Sequence, residues 1–214
     1  MKKLLLASSL LLIISCKKEN DKTLENSIST GNSASKTTKD SLKSKNDLNS
    51  VDEIKKEYTR VNSKLTAKKL DSISFDYECE ESSGNVVYYS ENRILKVVKH
   101  FNADSHFSST ENYFVNEGKP YFVFKDDTVW SFDGGTSEKP ETKDDITEQR
   151  FYIVNGKPIQ CLEKKYTLKS NSTSNPKSEN IQSKEMKNCS IDELQKTFTL
   201  LLKNKDIKGT MKCL

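Results

Sequence analysis

Apolar positions change period twice along this chain, and the changes mark its elements. Val51, Ile54, Tyr58, Val61 and Leu65 recur at spacings of three and four, one stripe of an amphipathic helix. Ser50-Val51-Asp52-Glu53 ahead of it has capping-box form, with Ser50 as N-cap and Glu53 placed to return the hydrogen bond. From Ser72 the pattern turns to short β-branched and aromatic runs separated by Gly, Asn and polar residues. It predicts strands over Ser72–Glu80, Asn85–Glu91, Arg93–Phe101, Phe107–Asn116, Lys119–Lys125, Thr147–Val154 and Lys157–Tyr166. Their short connections suit antiparallel neighbours in a meander. The Trp130–Asp145 connection, with Gly134-Gly135, Pro140 and several acids, reads as a surface loop, and Lys169–Lys187 as a polar, loosely structured stretch. Ser190-Ile191-Asp192-Glu193 repeats the capping box and opens a second helix, ending before Gly209, with Ile191, Leu194, Phe198 and Leu201 on one face. The expected fold is α+β: an antiparallel β-meander of about seven strands with an N-terminal and a C-terminal helix, in a single domain over 50–214.

The strands contain a repeat. Glu111–Phe124, ENYFVNEGKPYFVF, returns without a gap at Gln149–Leu162, QRFYIVNGKPIQCL, and sets Gly118-Lys119-Pro120 on Gly156-Lys157-Pro158. A fainter copy spans Val87–Val98, where Asn92-Arg93 stands for Gly-Lys. Each copy reads as strand, tight turn, strand, with Gly or Asn able to take the positive φ of the turn. Lys119, Lys157 and Arg93 then hold matching turn positions, where charge protects hairpin ends and edges against aggregation or, alternatively, holds an anionic glycan or lipid head group.

Val86-Val87-Tyr88-Tyr89, Tyr121-Phe122-Val123-Phe124 and Phe151-Tyr152-Ile153-Val154 are continuous apolar runs. Alternate strand residues face opposite sides, so these strands carry apolar groups on both faces of the sheet. Two helices are expected to cover one face. The other is left to sheet curvature, to the Trp130 loop, to a second protomer, or to stand open as an aromatic binding surface whose candidates are Tyr88, Tyr113, Tyr121, Trp130 and Tyr152.

Upstream, Met1–Ser15 has a basic start (Lys2, Lys3) and an apolar run from Leu4 to Ile14, about half of the ~20 residues a membrane-spanning helix needs. It is expected to be a cleaved export signal over 1–15. Ile13-Ile14-Ser15-Cys16 resembles the lipobox of bacterial lipoproteins, a resemblance that implies cleavage before Cys16 and acyl chains on that residue as a membrane anchor. Lys17 follows, with no Asp there, which in such lipoproteins implies the outer membrane. Residues 16–49, nearly all Ser, Thr, Asn, Lys and Asp, bury too little to offset their ordering entropy and are expected to form a flexible tether with a reach of roughly 30 Å.

Charge and cysteine use narrow the classes further. Removal of Lys2 and Lys3 from the 35 basic residues leaves 33 against 31 acidic ones, which gives no electrostatic case for nucleic acid. Besides Cys16, four cysteines remain, Cys79, Cys161, Cys189 and Cys213, and an even number in an exported chain favours disulfides, with three pairings possible. Cys79 and Cys161 fall in predicted strands while Cys189 and Cys213 flank the last helix, which favours 79–161 with 189–213. None of the spacings suits zinc.

Candidate chemistry is sparse. The sequence has no Gly-rich phosphate loop, no His-Glu-x-x-His and no Gly-x-Ser-x-Gly, and the Ser-x-x-Lys at Ser33–Lys36 falls in the tether. His100 and His106 flank a predicted turn and are expected to be solvated rather than to hold metal. Asp126-Asp127 and Asp144-Asp145 match no calcium-loop spacing. No catalytic residue, metal or cofactor is expected.

The paired motifs Tyr113-Phe114-x-x-x-Gly118-Lys119-x-x-Phe122-Val123 and Arg150-Phe151-Tyr152-x-x-Asn155-Gly156-Lys157-x-Ile159 resemble a group of uncharacterised Bacteroidetes lipoproteins with repeated Gly-Lys hairpins. The resemblance covers about Phe75–Leu162 and implies a cell-envelope β-meander without importing an activity. Pro120 and Pro158 depart from it, each removing one ladder donor after the turn. Tyr77-x-Cys79 followed by Gly84 is loosely similar to the start of C-type lysozyme inhibitor lipoproteins. The expected function is a non-catalytic, lipid-anchored envelope module that binds a protein or glycan, with inhibition of lysozyme-type enzymes and an acidic-loop hydrolase as the alternatives.

Overall fold

The computed structural model describes residues 48–214; the expected signal segment, Cys16, the Ser33–Lys36 motif and the expected tether as far as residue 47 lie outside the described residues. The elements in chain order are α1 (Val51–Thr66), β1 (Asp71–Glu78), β2 (Ser83–Glu91), β3 (Ile94–Ala103), β4 (Phe107–Asn116), β5 (Lys119–Gly135), β6 (Pro140–Val154), β7 (Lys157–Lys169), β8 (Lys184–Glu185), α2 (Asp192–Lys203) and β9 (Gly209–Lys212). One sheet contains all nine strands in the order β8-β7-β6-β5-β4-β3-β2-β1-β9. The meander expected from the short connections is present from β1 to β7. Two short edge strands add to it: β8 against β7, and β9 parallel to β1 with Phe75 opposite Gly209. Neither carries an apolar run that would announce it. Among the described residues no helix is long and apolar enough to cross a membrane.

The three repeated hairpins share one geometry. Asn92-Arg93, Glu117-Gly118 and Asn155-Gly156 all have positive φ at both central positions, the two-residue turn whose twist matches the flanking strands. Arg93 therefore corresponds to Gly118 and Gly156, not to Lys119 and Lys157; Ile94 holds the lysine position of the third copy. The register slips once beside every turn: Val97 opposes Tyr89 and Leu95 opposes Ser90, Phe122 opposes Phe114 and Pro120 opposes Val115, Gln160 opposes Tyr152 and Pro158 opposes Ile153. Lys96, Tyr121 and Ile159 are the extra residues of three equivalent bulges. Pro120 and Pro158 sit beside these bulges, where the ladder is already interrupted and the missing donor costs little.

The predicted Trp130–Asp145 loop is instead the outer half of the β5–β6 hairpin. Its strands pair out to Gly135 and Pro140, with a bulge between Phe132 and Gly134, and Thr136 and Lys139 close the turn through reciprocal backbone bonds of 3.1 Å. Trp130-Ser131-Phe132-Asp133 does alternate, but Gly134-Gly135, Pro140 and the wholly polar Glu141–Asp145 break the period-two signal in an arm that packs against no core.

Each helix covers a different face, which corrects the expectation that both helices cover the same one. On one side α2 lays Ile191, Leu194, Phe198 and Leu201 on Phe75, Tyr88, Val98, Tyr113, Val123 and Phe151. On the other, α1 lays Val51, Ile54, Tyr58, Val61 and Leu65 on Val97, Phe114, Tyr121, Phe122 and Tyr152. Both stripes are those the spacing predicts. The bulge puts Tyr121 and Phe122 on the same α1 face before alternation resumes at Val123. Ser50 caps α1, its Oγ accepting from the Glu53 amide at 3.3 Å, while the Glu53 carboxylate accepts from the Asn49 amide at 2.8 Å. The second capping box does not form. Buried Ile191 holds the cap position of α2, and the Ser190 hydroxyl reaches only Asp192.

Cys79 joins Cys213 and Cys161 joins Cys189, so the favoured 79–161 and 189–213 pairing is incorrect. β9 beside β1 brings Cys213 to the end of β1, with Cα atoms 4.7 Å apart, and the chain leaving β8 brings Cys189 to β7 at 5.6 Å. Both partners depend on edge strands that the sequence pattern does not reveal.

Candidate functional site

α1 roofs only part of its face, and a cleft of about 380 Å³ opens between the helix and β5–β6. Two register pairs, Phe122 with Tyr152 and Phe124 with Arg150, form its floor. Lys55, Tyr58 and Thr59 enter from α1, three and four residues apart and so on one side of the helix. Tyr58 meets Phe122 edge-on at 5.0 Å, and Phe122 meets Tyr152 at 5.1 Å. The Lys55 ammonium lies 5.8 Å from the Tyr152 ring centre and the Arg150 guanidinium 5.1 Å from that of Phe124. The cleft is thus an aromatic floor bordered by two cations.

Lys55 has no ion-pair partner among the described residues, whereas Arg150 leads into a buried charge cluster. Glu148 (4 % exposed) accepts from Lys164 (7 % exposed) and from Arg150, each at 3.1 Å, from the Tyr166 hydroxyl at 3.0 Å, and from the Ser178 hydroxyl. Lys164 also donates to the Ser178 carbonyl at 2.8 Å, and Arg150 reaches the Ser183 hydroxyl at 3.4 Å. The segment joining β7 to β8 is thereby fastened over the sheet. Burial pushes the Glu148 carboxyl up, but bonds from Ser178, Lys164 and Tyr166 outweigh it and hold the carboxyl below its ordinary value. Asp126, opposite Glu148 on β5, goes the other way: burial raises it, and the charges of Glu148 and Asp127 add to the rise.

The α2 face has its own polar chain. The Tyr77 hydroxyl lies 2.8 Å from His100 Nε2, His100 Nδ1 lies 3.4 Å from Glu111, and the Tyr113 hydroxyl donates to Glu111 at 2.5 Å. Burial raises Tyr77 to about 12 and raises Tyr113 as well. Burial also lifts the Glu111 carboxyl, but His100 and Tyr113 more than compensate and leave it low. Ser109 on the same strand is buried and its Oγ has no hydrogen-bond partner, so it is not bonded to His100 as a nucleophile to its base would be.

Of the five aromatic candidates for an open binding face, Tyr88 and Tyr113 are buried beneath α2, and Tyr121 and Tyr152 beneath α1. They do not form one surface; only the edge of Tyr152 contributes, to the cleft. Trp130 packs on the turn before β4, stacking on His106 at 4.2 Å and donating its indole N–H to the Ser105 carbonyl at 2.8 Å. His100 is buried rather than solvated, and the two histidines do not meet. Tyr77, Cys79 and Gly84, which carry the likeness to lysozyme inhibitors, are taken up by the polar chain, a disulfide and the Tyr77–Gly84 contact. Asp127 pairs with Lys125 at 3.0 Å and Asp145 accepts from Thr167 at 2.5 Å. Lys119, Lys157 and Arg93 are exposed at the turns. Among the described residues, no three His, Cys, Asp or Glu side chains converge in a way that would hold a metal ion. Lys55, Thr59, Phe124 and Arg150 were missed, although each neighbours a residue of a core stripe or run and so marks where that core meets solvent.

No family model matches the chain, and no curated protein or solved structure shows significant similarity to it.

Proposed function

We propose that this chain is a lipid-anchored, non-catalytic module of the bacterial cell envelope, held by Cys16 and binding its ligand in the cleft between α1 and β5–β6. The cleft carries this reading: an aromatic floor with two cations at its border suits recognition of a ligand. The lipobox-like Ile13–Cys16 supports the anchor, and two disulfides suit an oxidising compartment. A Cys16→Ala chain should lose fatty-acid labelling and leave the membrane fraction. Immobilised full chain incubated with envelope extract should retain a ligand visible by native mass spectrometry, and Phe124→Ala should retain less. Equal retention by both proteins would remove the cleft from the function.

A further inference from the structure

We propose that the cleft takes an acidic saccharide, with the carboxylate held between Lys55 and Arg150 and one sugar face on the aromatic wall; this deepens the binding-module reading and rests on it. The charge inventory supports an anion. Glu148 has a buried counter-ion in Lys164 at 3.1 Å and Asp126 lies opposite it, so Lys164 and Arg150 together balance these two carboxylates and Lys55 is the cation left over; the other terminal nitrogen of Arg150 makes only a 3.4 Å contact to Ser183 and keeps donors for a ligand. Lys55 makes no ion pair among the described residues. The rings beneath both cations fix their position without cancelling their charge. A carboxylate entering here meets a guanidinium with donors to spare and an unpaired ammonium, the arrangement that favours charge-assisted bonds.

The body of the ligand follows from shape. Phe122 and Tyr152 are 4 % and 5 % exposed, so the cleft stops at a layer of packed rings and opens no tunnel for a long acyl chain. A pyranose has an apolar C–H face and a hydroxylated rim. The half-buried Tyr58 and Phe124 offer the apolar wall. Thr59, whose hydroxyl donates to the Lys55 carbonyl at 2.8 Å, keeps lone pairs toward which a sugar hydroxyl can donate. The volume of about 380 Å³ lies in the range of small-ligand sites.

The test is calorimetric titration of the full chain in detergent with trigalacturonate and with its methyl ester, at low and raised salt. The acid should bind, more weakly as salt rises, and the ester should bind at least about tenfold more weakly. Lys55→Gln, at an exposed position where folding is not at stake, should weaken the acid at least about fivefold with an unchanged thermal midpoint. Arg150→Gln should act in the same direction. Ester binding equal to the acid, an unaffected Lys55→Gln protein, or no binding of trigalacturonate would overturn the acidic saccharide. If trigalacturonate fails while an extract ligand is still lost from Phe124→Ala, the saccharide is wrong and the binding module stands. If nothing distinguishes Phe124→Ala from the parent, both fail.

Discussion

The Tyr77 ring lies over Gly84, its register partner on β2, and a Cβ at residue 84 would collide with that ring and with the Phe101 carbonyl oxygen. The missing side chain lets the tyrosine cross the strand and bring its hydroxyl to His100 and Asn102, at 2.8 and 3.1 Å. Gly84→Ala should therefore destabilise the domain by about 1–3 kcal/mol through overpacking. In a Tyr77→Ala background the same change should cost less, the Phe101 carbonyl contact alone remaining. Urea unfolding of the four proteins gives the coupling. An equal cost in both backgrounds would mean that the ring is not what Gly84 accommodates.

The disulfides fasten unequal loops. Cys79–Cys213 spans 134 residues and ties β9 and the chain end to β1, whereas Cys161–Cys189 spans 28. On chain entropy alone their ceilings are about 5 and 3.6 kcal/mol. Replacing Cys79 and Cys213 by serine should cost more stability than replacing Cys161 and Cys189, measured by denaturant midpoint under oxidising conditions. Peptide mapping of the intact protein should recover the 79–213 and 161–189 linked peptides; recovery of 79–161 would refute the pairing.

The sequence is explicit wherever one side of an element is core. Ile54, Val61, Leu194 and Phe198 all lie on stripes visible as spacings of three and four, and the meander follows from turns that only a few residues allow. Legibility fails where no core imposes a period. The β5–β6 arm beyond Val129 and the strands Lys184–Glu185 and Gly209–Lys212 are held by ladder bonds between mostly polar residues, and with them went the disulfide partners. The cleft was half legible: runs apolar on both faces showed that the second face needed either a cover or a ligand, but which helix took which face depends on long-range docking. Arg150 and Lys55 acquire meaning only once α1 lies over β6.

The repeat itself offers a stabilising change. Asn92, Glu117 and Asn155 share the first central position of the three turns, with φ of 51°, 50° and 51°. Asparagine tolerates this left-handed region better than glutamate, because its short side chain bonds locally. Glu117→Asn should raise stability by roughly 0.5 kcal/mol, with no change in the slope of ΔG against denaturant. Arg93→Gly is the harsher comparison: it relieves a φ of 67° but gains unfolded-state freedom, so the two effects should nearly cancel. Thermal and urea midpoints of both variants check the pair.

Glu148 and Asp126 make opposite pH predictions from adjacent strands. The Glu148 carboxyl is held below its ordinary value, so its contribution is complete above the unfolded carboxylate range and is lost as pH falls through the lowered folded value. Glu148→Gln should destabilise at pH 7 by about 3 kcal/mol, since it leaves Lys164 buried without its counter-ion, and should flatten the acid limb of the stability profile. Asp126 is raised by burial and by the charges of Glu148 and Asp127, so its ionised form disfavours the folded state at pH 7, and that penalty fades as pH falls through the raised value. Asp126→Asn should therefore stabilise at pH 7 by a few tenths to about 1 kcal/mol after solvent screening, and the gain should disappear once pH falls below the ordinary aspartate range. Urea midpoints from pH 3 to 8 separate the two; parallel profiles for both variants would show that neither carboxyl titrates differently on folding.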